Sequence, residues 1–368
     1  MSTNLIGARL RALREDKGIS QDDLARLFGF KDRQTVSAIE TGERRVSAEE
    51  LLIAVEKLGA SFEYFTDPFL LAGEGAFSWR QTGVSPQGLS AFERSAGRWI
   101  AAFRVIAPQV GHDLPLLRKS LGLTRQHTFE DAMGAGERFA AEFALGDVPA
   151  VRLADAMERK LGILVLVVDA LKGVSGAACR LPELDAVLVN RKEIAGRRHF
   201  DLAHELFHVL TWDAMPPEHS EDASEIGKGR MEQLANNFAS AILMPKPVVD
   251  RFGDWSKLSG AALAAQLNKA ADALQVTASA LKWRLVALDR VALKDAKAIA
   301  DATLRNNGHA AVEGDLPPLF SRPFMEVIAS ALREGHLSLR RAADLLDLKI
   351  DDLAELFVIY GLEAPVDL

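Results

Sequence analysis

His204-Glu205-Leu206-Phe207-His208 lies inside a run, Phe200 to Trp212, whose pattern predicts a helix. Residues four apart on a helix share one face, so both imidazoles can reach a single ion. Glu205, beside the first histidine, is placed to hold and deprotonate a water on that ion. The alternative is a packed pair of histidines with no metal. A third ligand is needed for a catalytic zinc, which keeps three protein ligands and one open position. His219 lies beyond a predicted loop, Ala214 to Glu218, and no motif spacing recommends it. Glu232 is the better candidate. It opens a second predicted helix that Pro245 stops, in which Glu232, Ala235, Asn236, Ala239 and Ile242 share a face. Small alanines on that face allow two helices to approach closely. Asn236, one turn from Glu232, reads either as a hydrogen-bond partner of a ligand or as an ordinary polar contact.

Several spaced elements agree in order with a known family. The H-E-L-F-H helix, the preceding Arg197-Arg198-His199-Phe200-Asp201-Leu202-Ala203 and the later E-x-x-A-N-x-F-A-x-x-I-L-M-P resemble the ImmA/IrrE metallopeptidases. So do Leu161 to Val165, Ser175-Gly176 and Val187 to Asn190 upstream. The resemblance covers roughly residues 129 to 247. It implies a gluzincin-like zinc peptidase with His204, His208 and Glu232 on Zn2+ and Glu205 as general base. Members of the family that act as regulators cut transcriptional repressors, which implies a protein substrate of that kind. Phe207 departs from the pattern, standing where a small glycine is common, and is expected to narrow the pocket.

The N-terminal stretch carries a second signature. Leu5 to Leu13 is amphipathic, and Gly18 ends it. Ser20 caps Gln21 to Phe28, with Asp22 and Asp23 in the first turn. Gly29-Phe30-Lys31-Asp32 turns the chain into Arg33 to Thr41, closed by Gly42, and Ser47 caps a further helix through Leu58. Helix, short turn, helix is the helix-turn-helix plan. The string S-Q-x-x-L-A-x-x-F-G-F…T-V-S-A-I-E-T-G-x-R resembles the phage-repressor (XRE-like) family. The resemblance implies that Arg33, Gln34, Thr35 and Ser37 face DNA bases while Gln21, Arg44 and Arg45 hold phosphates. The turn is one residue longer than the commonest pattern, which leaves the register of base contacts open. Residues 1 to 66 hold 10 Lys/Arg and 11 Asp/Glu, so the domain is not basic, and protein docking competes with DNA binding.

Composition sets the frame. The 368 residues allow two or three domains, and 48% hydrophobic with 26% charged content is that of a globular chain. No apolar run is long enough to cross a bilayer, and Met1 to Leu5 lacks the features of a signal peptide. One cysteine allows no internal disulfide and fits a reducing cytoplasm, the expected location. A net charge of -7 gives no global attraction to nucleic acid.

The expected fold is mainly α with a small sheet (α+β). It comprises an all-helical helix-turn-helix domain (1–66), a helical linker region (67–125), a zincin-like peptidase domain (126–310) and a helical C-terminal module (311–368). Within the linker, Gly73 to Gly75 and Thr82 to Pro86 read as loops and Ser90 to Val105 as an amphipathic helix. Asp131 to Leu145 and Pro149 to Leu161 read as helices, and Ile163 to Val168 and Ala186 to Asn190 as strands. The strand 186–190 is either an edge that pairs with extended substrate or an interior strand. Three C-terminal helices, Phe324 to Arg333, Leu339 to Leu345 and Asp351 to Tyr360, form an acidic module suited to packing, sensing or dimerisation rather than to reading DNA. Cys179 is read in two ways: a small buried hydrophobe, or an inhibitory zinc ligand whose thiolate displaces the catalytic water.

Together these readings point to a cytoplasmic regulator that binds DNA and cleaves a protein partner, with no membrane contact and a homodimer as a further assembly. The alternative is a transcription regulator or antitoxin-like binding protein with a structural or inactive zinc site. Zinc hydrolysis of a non-peptide amide uses the same ligands.

Overall fold

The computed structural model describes residues 5–112, 116–222, 229–305 and 316–363. The expected boundary at 310/311 and residues 1–4 lie outside them. The fold is α+β: a helical N-terminal unit followed by a small mixed sheet covered by helices on both faces.

The N-terminal unit contains α1 (Leu5–Asp16), α2 (Gln21–Phe28), α3 (Arg33–Thr41), α4 (Ala48–Leu58) and α5 (Phe62–Thr66). Local chemistry sets these boundaries. The side chains of Ser20 and Asp32 cap the backbone amides of Asp23 and Thr35, and Ser47 forms a capping box with Glu50. Gly29, Gly42 and Gly59 close α2, α3 and α4 in the left-handed conformation. Leu10, Leu24, Val36, Ile39, Leu58 and Phe65 form the core. A buried ion pair, Arg14 Nε to Glu40 Oε1 at 2.6 Å, ties α1 to α3. Arg9, wholly buried, donates to the Tyr64 carbonyl at 2.9 Å and to Glu74 at 3.1 Å, which fixes this unit to the segment entering the sheet.

The sheet has five strands: β1 (Ala76–Gln81), β2 (Leu164–Val168), β3 (Val174–Arg180), β4 (Asp185–Asn190) and β5 (Ser220–Asp222), in the order β2-β4-β3-β1-β5. β3 runs antiparallel to β1 and β4, whereas β2–β4 and β1–β5 pair in parallel. β4 is therefore interior, and the edge-strand reading of 186–190 is corrected: both its sides are already hydrogen-bonded, to β2 and β3. β2 and residues 186–189 of β4 are apolar throughout because both faces are covered. Period-two alternation sends Ala178, Val187 and Val189 to one core and Ala177, Cys179, Ala186 and Leu188 to the other.

The first core lies under α7 (Phe129–Glu142), α8 (Pro149–Leu161), α9 (Ala195–Thr211) and α10 (Arg230–Leu243). It is extended by α11 (Lys246–Asp250), α12 (Gly260–Leu274), α13 (Ala278–Ala287) and α14 (Leu293–Ala298). The pairing of α7 with α10 is close because Gly136 has no side chain. A Cβ there would sit 2.6 Å from the Phe238 carbonyl oxygen. The second core is built from α6 (Pro86–Ile106), α15 (Arg322–Arg333), α16 (Leu339–Leu346) and α17 (Ile350–Tyr360).

Two expectations change here. The segment expected as a helical linker supplies β1 to the sheet and α6 to its outer core. The C-terminal helices pack onto that same core rather than forming a separate module. β1 escaped notice because Ala76 to Gln81 mixes Ser78 and Arg80 with Phe77 and Trp79 between two loop signals. No helix among the described residues is long and apolar enough to cross a membrane.

Candidate metal centre

α9 and α10 bring the expected ligands together. His204 and His208 are buried, one turn apart on α9, with their Nε2 atoms 3.0 Å from each other. Glu232, in the first turn of α10, reaches both. Its Oε2 lies 3.1 Å from His204 Nε2 and its Oε1 3.3 Å from His208 Nε2. One ligand atom from each of the three residues falls within 4.8 Å of the others. Two ring nitrogens facing each other at hydrogen-bond distance, with a carboxylate across from them, share one natural occupant, a cation.

The surrounding contacts fit that occupant. Asn236, one turn along α10 from Glu232, accepts a hydrogen bond at Oδ1 from Nδ1 of His204 at 3.0 Å. With the proton on Nδ1, the His204 Nε2 lone pair faces the centre, the usual tautomer of a zinc-bound histidine with an outer partner. Burial, reinforced by the positive charge of Arg80, pushes the His204 pKa down to about 3, which keeps the ring neutral and able to ligate.

Glu205 is buried on α9 behind this centre, and its Oε1 has no hydrogen-bond partner among the described residues. Burial raises its carboxyl well above the usual range. Arg80 opposes that shift, and Glu232 and Asp201 add to it. Gly176 on β3 makes room for it, since a Cβ there would lie 3.3 Å from the Glu205 Cγ. An orphaned carboxylate oxygen beside a three-ligand cluster is what a water-activating base requires, and the residues present fit zinc with an open position.

Arg80 was missed by sequence reasoning, because its strand was missed. It lies opposite Gly176 in the β1–β3 register, is nearly buried, and pairs with buried Asp201 at 3.1 Å. Asp201 sits one turn before His204, and its own carboxyl is raised by burial. The only sequence clue was an arginine following Phe77 and Trp79 in a segment short enough to be a strand.

The reading of Cys179 as a zinc ligand and the expected narrowing by Phe207 are corrected; Cys179 is the small buried hydrophobe of its other reading. Cys179 is wholly buried in the second core, on the face of the sheet opposite α9, with Gly75 and Leu181 nearby. Alternation along β3 turns it away from the histidines, and burial raises its thiol well above the usual range, against thiolate formation. Phe207 does not narrow the cleft. It is buried against Phe238 with ring centres 5.6 Å apart, on a different side of α9.

At the N-terminal unit, Arg33 and Gln34 are exposed at the open end of α3, with Thr35 and Ser37 partly buried behind them. Gln21 and Arg44, expected on phosphates, are engaged within the unit. Gln21 Nε2 donates to Glu40 at 2.8 Å, and Arg44 forks onto Glu50 at 2.6 and 3.0 Å. Arg45 is exposed.

An N-terminal helix-turn-helix unit and a helix-borne cluster of two histidines and a glutamate define the class: a DNA-binding fold joined to a metallopeptidase-like fold. Comparison with known proteins agrees. Residues 10–65 match the helix-turn-helix family model, and residues 158–285 match that of the IrrE N-terminal-like domain. The chain is thus a fusion of a helix-turn-helix domain with an ImmA/IrrE-like domain. It is 24% identical over 285 residues to the HTH-type transcriptional regulator PrpR of Mycobacterium tuberculosis (strain ATCC 25618 / H37Rv), covering 66% of this chain. The chain spans 57% of that relative's length. No solved structure matches.

Proposed function

We propose that this protein is a zinc-dependent endopeptidase with a DNA-binding domain, a cytoplasmic regulator that cleaves a transcriptional repressor or a similar partner protein. The observation that carries the reading is the convergence of His204, His208 and Glu232 within 4.8 Å beside a buried Glu205 oxygen with no hydrogen-bond partner among the described residues. Bound zinc would polarise a peptide carbonyl and acidify a water. Glu205 accepts the proton of that water and later delivers it to the leaving amine. Asn236 holds the His204 ring in place, and Arg80 and Asp201 set the charge around both. Arg33 and Gln34 read DNA from the start of α3, and Arg45 supports them on the backbone.

The relative's name points to transcription regulation, and a second reading gives this chain that role with a structural or inactive metal site. Turnover separates the two. Purified protein is analysed for zinc beside a His204→Ala/His208→Ala double variant, then incubated with candidate repressors encoded nearby. Zinc in the wild type alone, with a cleaved partner, supports the peptidase. Stoichiometric zinc with no cleavage of any candidate, and DNA binding that depends on the metal, supports the structural site.

A further inference from the structure

A cavity of about 420 Å³ lies one helical turn from His204, on the Asp201 side of α9, and reaches Asn236. Its walls have two characters. Phe200 and Trp283, the latter 45% exposed, supply an apolar side with Ala280 and Ala287. Arg80 from β1, Arg197 from α9 and Arg284 from α13 supply a cationic side, against a single lining carboxylate, Asp201.

Each of these arginines carries a buried nitrogen with no hydrogen-bond partner among the described residues: Arg80 Nη1, Arg197 Nε and Arg284 Nη1. Arg284 is 1% exposed, and its remaining guanidinium donors are held by the Met244 carbonyl at 3.0 Å and by Glu137. Arg80 faces Asp201 at 3.1 Å, yet neither Arg80 Nη1 nor Asp201 Oδ2 gains a hydrogen bond. Arg197 Nε likewise lies 3.6 Å from Glu193 and 3.9 Å from Asp201 without hydrogen-bonding either. Buried donors are normally hydrogen-bonded, and three from three separate elements around one cavity leave hydrogen-bonding capacity for a further acceptor. A planar guanidinium matches a carboxylate best.

We infer that this cavity is a substrate subsite for an acidic side chain: it takes the Asp or Glu of a bound peptide, with Phe200 and Trp283 covering the stem. This rests on the peptidase reading in one respect, that the peptide lies across the metal centre. Because α9 rises about 5.4 Å per turn, a side chain seated beside Asp201 belongs to a residue adjoining the scissile bond. The proposal adds what the metal cluster does not give, a charge preference, and it depends on Arg80, which lies outside the matched domain segment 158–285.

The test is a binding selection, independent of turnover. Full-length Glu205→Gln protein is equilibrated with a positional-scanning library of ten-residue peptides, and the bound pool is sequenced by mass spectrometry. The expected result is enrichment of Asp and Glu over Asn and Gln by about tenfold at one position, the size of one charge-assisted hydrogen bond. Ser279→Glu places a carboxylate on the cavity wall at the partly exposed start of α13 and should abolish or invert the preference while the thermal unfolding curve is retained. Arg284→Met is the second variant; if it unfolds, Ser279→Glu decides alone. No acidic enrichment, or enrichment that survives Ser279→Glu, overturns the inference. Acidic selection by Glu205→Gln with no cleavage by wild type would sink the peptidase reading and leave the subsite standing. Cleavage without acidic selection does the reverse.

Discussion

Replacing Asn236 by alanine should weaken zinc binding without unfolding the protein. The contact removed is a single hydrogen bond, 3.0 Å from Asn236 Oδ1 to His204 Nδ1, on a ring that is wholly buried. Leaving that buried donor unpaired costs about 1–3 kcal/mol. The lower end applies here, because Asn236 borders the cavity and a water can enter in its place. The metal feels the loss through the ring. Without the acceptor, His204 is free to protonate at Nε2 instead of Nδ1 and to rotate out of line. Outer partners of this kind are worth about 10–100-fold in affinity, about 1.4–2.7 kcal/mol. The assay is competition against a fluorescent zinc chelator near neutral pH, with far-UV circular dichroism to monitor the fold and His204→Ala as the variant that loses a ligand outright. Asn236→Asp restores an acceptor and should recover most of the affinity. Equal zinc affinity in Asn236→Ala and wild type, with both folded, would refute the claim that this contact orients a ligand.

Glu205→Gln should retain zinc and fold while losing cleavage of the partner protein, since an amide cannot accept the proton; a gel time course with undiminished cleavage would remove Glu205 from the chemistry. Arg33→Ala should weaken DNA binding in anisotropy titrations that also lose affinity with salt. Arg44→Ala should instead lower thermal stability, because its guanidinium is spent on Glu50 at the start of α4. Stability should also depend on Glu158, whose carboxyl is pushed up to about 7, chiefly by burial, with Ser321 and the Val165 backbone opposing. A raised folded-state pKa means the native state holds the extra proton. The stabilisation is fully present below about pH 4.5 and is lost as pH rises through about 7, a change of order 3 kcal/mol. Urea titrations across that range should show the slope in wild type and a flattened one in Glu158→Gln. Cys179→Ala should leave peptidase activity unchanged and cost stability of order 1 kcal/mol, as a small deletion in a packed core does; raised basal activity would revive the thiolate as a zinc ligand.

What the sequence revealed, and what it hid, divides along the range of the forces involved. Helix ends were legible because they are local. Ser20, Ser47 and Ser338 cap where expected, and Gly42 and Gly361 close their helices. The convergence of His204, His208 and Glu232 was legible because two of them share one helix and the third opens the next, so motif spacing carries most of the geometry. Strand partners were not. β4 reads the same as an edge or an interior strand, since its apolar run reports burial on both faces and says nothing about hydrogen bonding at its sides. The face of Cys179 was equally hidden: a one-residue shift in strand phase carries a side chain through the sheet. Arg44 and Gln21 looked free as cations and amides do in a sequence, and only the folded unit supplies Glu50 and Glu40 to hold them.

β1 is where these hidden relations meet. Its alternation puts Phe77 and Trp79 into the outer core and sets Arg80 beside the metal cluster. Trp79 donates to Glu93 on α6 at 2.6 Å, and α15 to α17 close over the same core. A fragment limited to 126–310 would lose β1, one of the two strands paired with β3, and with it Arg80, whose charge opposes the raised Glu205 carboxyl. The centre is therefore shared between the segment that resembles a peptidase and the segment that leads from the DNA-binding unit. Any displacement of α6 or the C-terminal helices that moves Trp79 must move Arg80 on the opposite face of the same strand, because adjacent residues of a strand shift together. Coupling of this kind needs no long pathway, only one five-stranded sheet with α6 and the C-terminal helices on one side and the His204, His208 and Glu232 cluster on the other.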